Sequence, residues 1–158
     1  MHDEDRHRIP GRGLKAVAGA LVEYADGDQA SAFAMMLGGL IEANVNSRPE
    51  KRPDFDSLKA RVGIKVDDID ESVTLDFKGG RLVVSNGLKR DRRLTIRCDA
   101  DTVMELSSLS IGPFGIPIYV DSVGRDVVYK LVTGRLKIDG MLANVLTLNQ
   151  VTRIFSVK

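Results

Sequence analysis

Tryptophan is absent from this chain of 158 residues, histidine occurs twice and cysteine once. Three tyrosines and five phenylalanines complete the aromatic content, which leaves little surface on which bases or sugars could stack. Both histidines, His2 and His7, lie in a charged N-terminal stretch, so the body of the chain holds no imidazole to serve as a general base or metal ligand. Neither Gly-x-Gly-x-x-Gly, a phosphate-loop pattern nor a Gly-x-Ser-x-Gly elbow occurs. The usual ways of activating a nucleophile are therefore missing, and the sequence predicts no catalysis, no metal and no cofactor. Cys98 has no second cysteine to pair with; at the inward position of a strand it reads as a small buried hydrophobe in a reducing compartment. Charge of one sign is also lacking. Twenty-three basic residues face twenty-two acidic ones, for a net charge of +1, which gives no global pull toward nucleic acid. No apolar run reaches the roughly 18 residues of a membrane span. Residues 16–22 are apolar after a basic stretch, but acidic residues precede it and glycine interrupts it, so a cytoplasmic protein is expected rather than an exported one.

What is present is apolar periodicity. Residues 1–13 are charged and contain Pro10 and two glycines, the composition of a disordered leader. Leu14, Val17, Ala18, Leu21, Val22 and Ala25 recur at helical spacing and predict an amphipathic helix over 14–27. Residues 28–158 then form the domain proper. In its first helix Phe33, Met36, Leu37, Leu40 and Ile41 make a second stripe; Gly38 and Gly39 inside it cost about 1 kcal/mol each in helix propensity and imply the close approach of another backbone or a kink. Residues 44–53 read as a polar linker with a solvated basic cluster, and 54–59 as a helical turn.

Four runs of period-two alternation follow: Val62, Ile64 and Val66; Val73, Leu75 and Phe77; Leu82 and Val84; Leu94, Ile96 and Cys98. The third and fourth are separated by Asn86-Gly87 and the basic run 89–93, read as a solvated loop able to meet acidic groups at a membrane surface. Asp99 and Asp101 cap a helix carrying Val103, Met104, Leu106 and Leu109. Residues 110–120 are apolar and punctuated by glycine and proline, which excludes a regular helix and suggests a lid or rim. Asp121 opens a further helix with Val123, Val127, Val128 and Leu131 facing inward.

The chain closes on Thr133-Gly134-Arg135-Leu136-Lys137-Ile138-Asp139-Gly140, whose alternation predicts a half-buried strand bracketed by glycines. Leu142, Val145, Leu146 and Leu148 or Asn149 continue it as an amphipathic helix. With the antiparallel run over 62–98 and the capped helix at 99–102 upstream, this ending resembles the last strand and closing helix of the sterol carrier protein family of lipid-transfer domains. The resemblance covers roughly residues 30–155. It implies an α+β fold, a small, mostly antiparallel sheet of about five strands covered on one face by helices, with an apolar cavity between the layers.

The expected function is non-catalytic binding or transfer of a sterol, fatty acyl or isoprenoid lipid, with transient contact at a membrane surface. The predicted walls are Phe33, Met36, Leu40, Phe77, Met104, Phe114, Ile118, Tyr129, Leu131, Leu142 and Leu146. Core and cavity wall have the same composition, so two other readings stay open. One is an interaction module with a filled core that forms a homodimer through residues 14–22. The other is a lipid-presenting accessory factor for a lipid- or quinone-metabolising enzyme.

Overall fold

The computed structural model describes residues 20–112, 117–118 and 120–158. Its centre is a hairpin, β2 (Lys59–Val66) and β3 (Glu71–Lys78), extended by β4 (Leu82–Asn86), which pairs antiparallel with β3. On the other side β5 (Leu94–Cys98) runs parallel to β2, and β6 (Lys137–Asp139) closes that edge antiparallel to β5. A short β1 (Val22–Tyr24) lies parallel to β4 at the opposite edge. The order is β1-β4-β3-β2-β5-β6, six strands in one open and mostly antiparallel sheet.

Alternation decides which face is dry. Val62, Ile64, Val66, Val73, Leu75, Phe77, Leu82, Val84, Leu94 and Ile96 are all buried on one side, under helices α1 (Ala32–Ser47), α2 (Arg52–Ser57), α3 (Ala100–Ser107), α4 (Ser122–Val132) and α5 (Val145–Phe155). Three of the helices start on side-chain caps: Ser31 Oγ accepts from Ala34 N (3.0 Å), Asp99 from Thr102 N (2.8 Å) and Asp121 from Gly124 N (2.7 Å).

The other face carries ion pairs, Arg61 with Asp76 at 2.9 Å and Arg97 with Asp139 at 3.9 Å. The basic run 89–93 is anchored there through its backbone and Arg92, while Lys89, Arg90, Asp91 and Arg93 are exposed as expected of a solvated loop. Arg92 donates to Thr95 Oγ1 (2.9 Å), Arg61 donates to the Arg90 carbonyl (2.8 Å), and Thr74 Oγ1 accepts from Lys89 N (2.8 Å). A Cβ on Gly63 would stand 2.6 Å from Arg92 Cδ and 2.9 Å from Leu88 Cδ2. That glycine is what lets the loop lie on the sheet.

Several expectations need correction. The helix expected over 14–27 is, at its described end, the strand β1 followed by a 3₁₀ turn at Gly27–Gln29; Leu21 and Val22 are buried in the chain's own core, and residues 1–19, the leader and most of the proposed dimer stripe, lie outside the described residues. The Val22–Tyr24 segment pairs because β4 offers it an open edge, and tertiary pairing outweighs local periodicity. The polar linker over 44–53 is instead ordered structure. α1 continues to Ser47, a 3₁₀ turn spans Pro49–Lys51, and Lys51 is buried with 4% of its surface exposed. Its ammonium donates to the carbonyls of Arg153 and Ser156, and Asn44 Nδ2 donates to those of Ile154 (3.1 Å) and Phe155 (2.9 Å). The carbonyls orphaned at the end of α5 are satisfied by these donors. Finally, Gly38 is closed on by a side chain, not by a backbone: the Tyr24 ring lies against it and donates to the Met35 carbonyl (3.2 Å).

Candidate functional site

The dry side of the sheet has two unlike halves. Over β3 and β4, α1 brings Phe33, Leu37 and Ile41 down onto Leu75, Phe77 and Leu82, and Phe55 of α2 meets Phe77 edge to face with ring centres 6.3 Å apart. Large side chains interdigitate there, and the core is filled. Over β2, β5 and β6 the facing side chains do not meet. A pocket of about 360 Å³ lies between that part of the sheet and helices α3, α4 and α5.

Its floor is Ile64, Ile96, Cys98, Leu136 and Ile138, and its walls include Val103, Val127, Val128, Val145 and Val151. Five valines explain the space. A β-branched side chain is wide at Cβ but short, so helices held at ordinary distance from the sheet leave a gap that leucine or phenylalanine would fill. Leu106, Leu109, Leu131, Met141, Leu142, Leu148 and Phe155 complete the apolar wall, with Asn149 and Thr152 the polar exceptions besides the Cys98 thiol. The size lies at the lower end of the range for small-molecule sites.

The strand and helix that enclose this space are set by their ends. Gly134 (φ 77°) and Gly140 (φ 83°) occupy the left-handed region that other residues avoid, so Leu136 and Ile138 of the β6 segment face the pocket while Lys137 faces away. Asn144 then ties the turn before α5 to the sheet, its amide donating to the carbonyls of Arg93 (3.1 Å) and Gly140 (3.0 Å). At the far end of α5, Arg153 makes two bonds to Asp54, 2.8 and 2.6 Å.

Two further interactions hold the α3 and α4 walls. Lys130 of α4 donates to Glu105 (2.9 Å) and Thr102 Oγ1 (3.0 Å) of α3. Burial alone would lower its pKa, but the hydrogen bond and charge of Glu105, with Asp99 and Asp101 nearby, outweigh this and raise it. Hydrogen bonds from the Thr102 side chain and backbone hold Asp99 below the usual carboxylate range. Cys98 is buried on the floor, and that burial, reinforced by Asp99, pushes its thiol up to about 12. A neutral, apolar thiol results.

Of the eleven residues expected in the wall, Leu131 and Leu142 line this pocket. Phe33 and Phe77 are buried in the filled half, and Leu40 packs against it. Met36, Met104, Tyr129 and Leu146 are exposed, on the outer faces of their helices. Ile118 is half-buried, outside the pocket, and Phe114 lies outside the described residues. The lid expected at 110–120 shows an isolated bridge between Ile111 and Pro117, and none of its described residues lines the pocket.

The position of the α5 start displaces Leu146 from the wall and leaves Leu142 at the rim. The helix begins at Val145 rather than before Leu142, so Thr147, Val151, Ile154 and Phe155 turn into the core while Leu142 is 90% and Leu146 80% exposed. Leu142, Val145 and Val128 both line the pocket and reach solvent. The mouth therefore opens between α4 and the start of α5. Missed from sequence were Ile64, Ile96, Val103 and Val127, whose alternation and helical spacing marked them only as core, and Val151, which was not singled out.

Comparison with known proteins finds a family match for part of the chain. Residues 39–114 match the model of the SCP-2 sterol transfer family. That segment is similar to the SCP-2 sterol transfer family. It runs from the middle of α1 through β5 and α3, and so supplies Ile64, Ile96 and Cys98 of the floor and the α3 wall of the pocket. Among solved structures, a UbiJ-SCP2 ubiquinone synthesis protein shares the fold with a TM-score of 0.53 at 14% identity, over 77% of this chain and 90% of that one. A sterol carrier protein 2 aligns over 80% of this chain and 92% of its own, with a TM-score of 0.49 and 14% identity. The sec-alkylsulfatase Pisa1 from a Pseudomonas species aligns over 68% of this chain but 14% of its own length, at a TM-score of 0.49 and 12% identity. No curated protein matches the chain in sequence. Among the described residues, no helix is long and apolar enough to cross a membrane.

Proposed function

We propose that the chain binds a hydrophobic small molecule reversibly, without chemistry, in the pocket between β2, β5, β6 and helices α3 to α5, and carries or presents it in the cytoplasm. The observation that carries this reading is a half-open apolar pocket of about 360 Å³ beside a fully packed core. Lining it with valine costs the chain packing that it achieves elsewhere, and a ligand restores that packing. Each Å² of apolar ligand surface buried contributes about 25 cal/mol before association costs. Sterol, fatty acyl and isoprenoid lipids all have the necessary surface, and the SCP-2 match over residues 39–114 supports that class. The exposed Leu142, Leu146 and Val132 near the mouth suit transient contact with a membrane surface, where the ligand would be exchanged.

The test is displacement of Nile red, a neutral fluorophore that brightens in apolar sites, in the parent protein and in Leu131→Trp. The indole is expected to fill the pocket and abolish binding while leaving the unfolding midpoint within a few degrees. Equal binding by both proteins would contradict the assignment of the pocket.

A second reading uses the same pocket. A lipid-presenting accessory factor for a lipid- or quinone-metabolising enzyme would need ligand binding but no exchange with membranes, and the UbiJ-SCP2 protein that shares the fold is named for ubiquinone synthesis. Loss of one lipid product when the chain is deleted, with no turnover by the pure protein, would favour it over a carrier. A homodimer through residues 14–22 would have to rely on 14–20, because Leu21 and Val22 are already buried; a mass independent of concentration would exclude it.

A further inference from the structure

The polar content of the pocket restricts the head group of its ligand, granted that the pocket binds one. Along α5 the residues facing the pocket fall at 145, 148, 149, 151, 152 and 155, an apolar stripe interrupted twice. Thr152 is accounted for by the helix itself, since its hydroxyl donates to the Leu148 carbonyl at 2.9 Å. Asn149 is not. It is half-buried, and its amide makes no hydrogen bond to any described group of the chain, whereas Asn44, Asn86 and Asn144 are each bound to backbone by one or two bonds. Its polar atoms are not sealed from solvent, so the carboxamide stands at the water-accessible side of a greasy wall with its hydrogen-bonding capacity uncommitted within the protein. It has one acceptor and two donor hydrogens, and so can meet a hydroxyl or a carbonyl equally.

Cations are the missing element. Among the described residues lining the pocket none is basic, and Cys98 is a neutral thiol there. On the wall helices Lys130 is committed to Glu105 and Thr102 and Arg153 to Asp54, while Arg125 of α4 is exposed and does not line the pocket. Lys137 faces away from Leu136 and Ile138 on the opposite side of β6. An ionised carboxylate drawn into this wall would lose water and gain no counter-charge.

We propose that Asn149 is the specificity-determining residue of the pocket, and that it selects lipids with a neutral, hydrogen-bonding head, a hydroxyl or a carbonyl, over ionised fatty acids. The apolar body lies against the valine walls, and the head stays at the amide on the open side of α5.

The experiment compares dodecanol, dodecanoic acid and dodecane as competitors of Nile red at about pH 8, where the acid is ionised, with the parent protein and Asn149→Leu. In the parent, dodecanol is expected to compete about tenfold or more better than the acid. In Asn149→Leu, dodecanol loses about three- to tenfold and falls level with dodecane, while dodecane itself is unchanged or improved; that last competitor shows that the variant has kept its pocket. Equal competition by alcohol and acid, or an alcohol affinity untouched by the substitution, overturns the proposal and leaves the carrier reading standing. Failure of Nile red and all three dodecyl compounds to bind the parent overturns both.

Discussion

The guanidinium of Arg153 and the carboxylate of Asp54 meet through two hydrogen bonds, Nε to Oδ2 at 2.8 Å and Nη2 to Oδ1 at 2.6 Å, and so fix the end of α5 against α2. Both side chains are mostly shielded, 24% and 19% exposed, which makes this a stronger pair than a surface bridge. Asp54→Asn is expected to cost about 1.5–3 kcal/mol in urea unfolding. Because α5 forms one wall of the pocket, Nile red affinity should fall in the same variant although Asp54 touches no ligand. Unchanged stability would show that the pair is incidental.

Gly38 and Gly39 stand side by side in α1 with opposite expectations. A Cβ at Gly39 would meet nothing within 4 Å, while one at Gly38 would stand 2.6 Å from the Tyr24 hydroxyl oxygen. Gly39→Ala is expected to raise stability by about 0.5–1 kcal/mol through helix propensity. Gly38→Ala gains the same propensity but must expel the Tyr24 ring and lose its bond to Met35, and should fall about 1–3 kcal/mol below Gly39→Ala. Thermal midpoints of the two variants check the contrast.

Cys98 should resist thiol reagents in the folded protein. Its thiol, pushed up to about 12 by burial, stays protonated at about pH 8, whereas an unfolded cysteine titrates near 8.5. A group raised in the folded state stabilises fully below its unfolded pKa, and that stabilisation is lost as pH rises toward the folded value. Stability is therefore expected to decline from about pH 8.5 upward, and the decline should be shallower in Cys98→Ala. Rapid modification of the native protein at about pH 8 would show the pocket floor to be open.

Asp99 behaves in the opposite sense. Its pKa is held down by Thr102, so its contribution is present above the unfolded carboxylate value of about 3.9 and lost as pH falls through the lower folded one. Asp99→Asn keeps a capping oxygen but has no proton to take up. The urea midpoint of the variant is expected to fall less than that of the parent on acidification below about pH 4; parallel acid limbs would contradict the cap.

How much of this was legible beforehand follows from what each element depends on. Strands β2 to β5 and the caps at Asp99 and Asp121 rest on local alternation and local hydrogen bonds, and were readable as such. β1 depends on the exposed edge of β4, 60 residues away for the Val22 and Leu82 pair, and its own sequence reads as helix. Lys51 looked like one of a solvated cluster because its partners, the last carbonyls of α5, are about a hundred residues distant. The pocket was legible only as apolar excess. Phe77 and Ile96 belong to equally plausible alternations, and only the three-dimensional packing separates the filled half from the open one; the frame of α5, set by Asn144 and Gly140, decided that Leu146 points to solvent while Leu142 stands at the rim.

The most direct test of the central claim is native mass spectrometry of the chain purified from its source, followed by denaturing extraction and analysis of whatever is released. The account predicts a complex of one chain with one lipid, whose head is neutral and whose loss accompanies Leu131→Trp. A bare chain mass from native material, together with no uptake of Nile red or dodecanol, would contradict it.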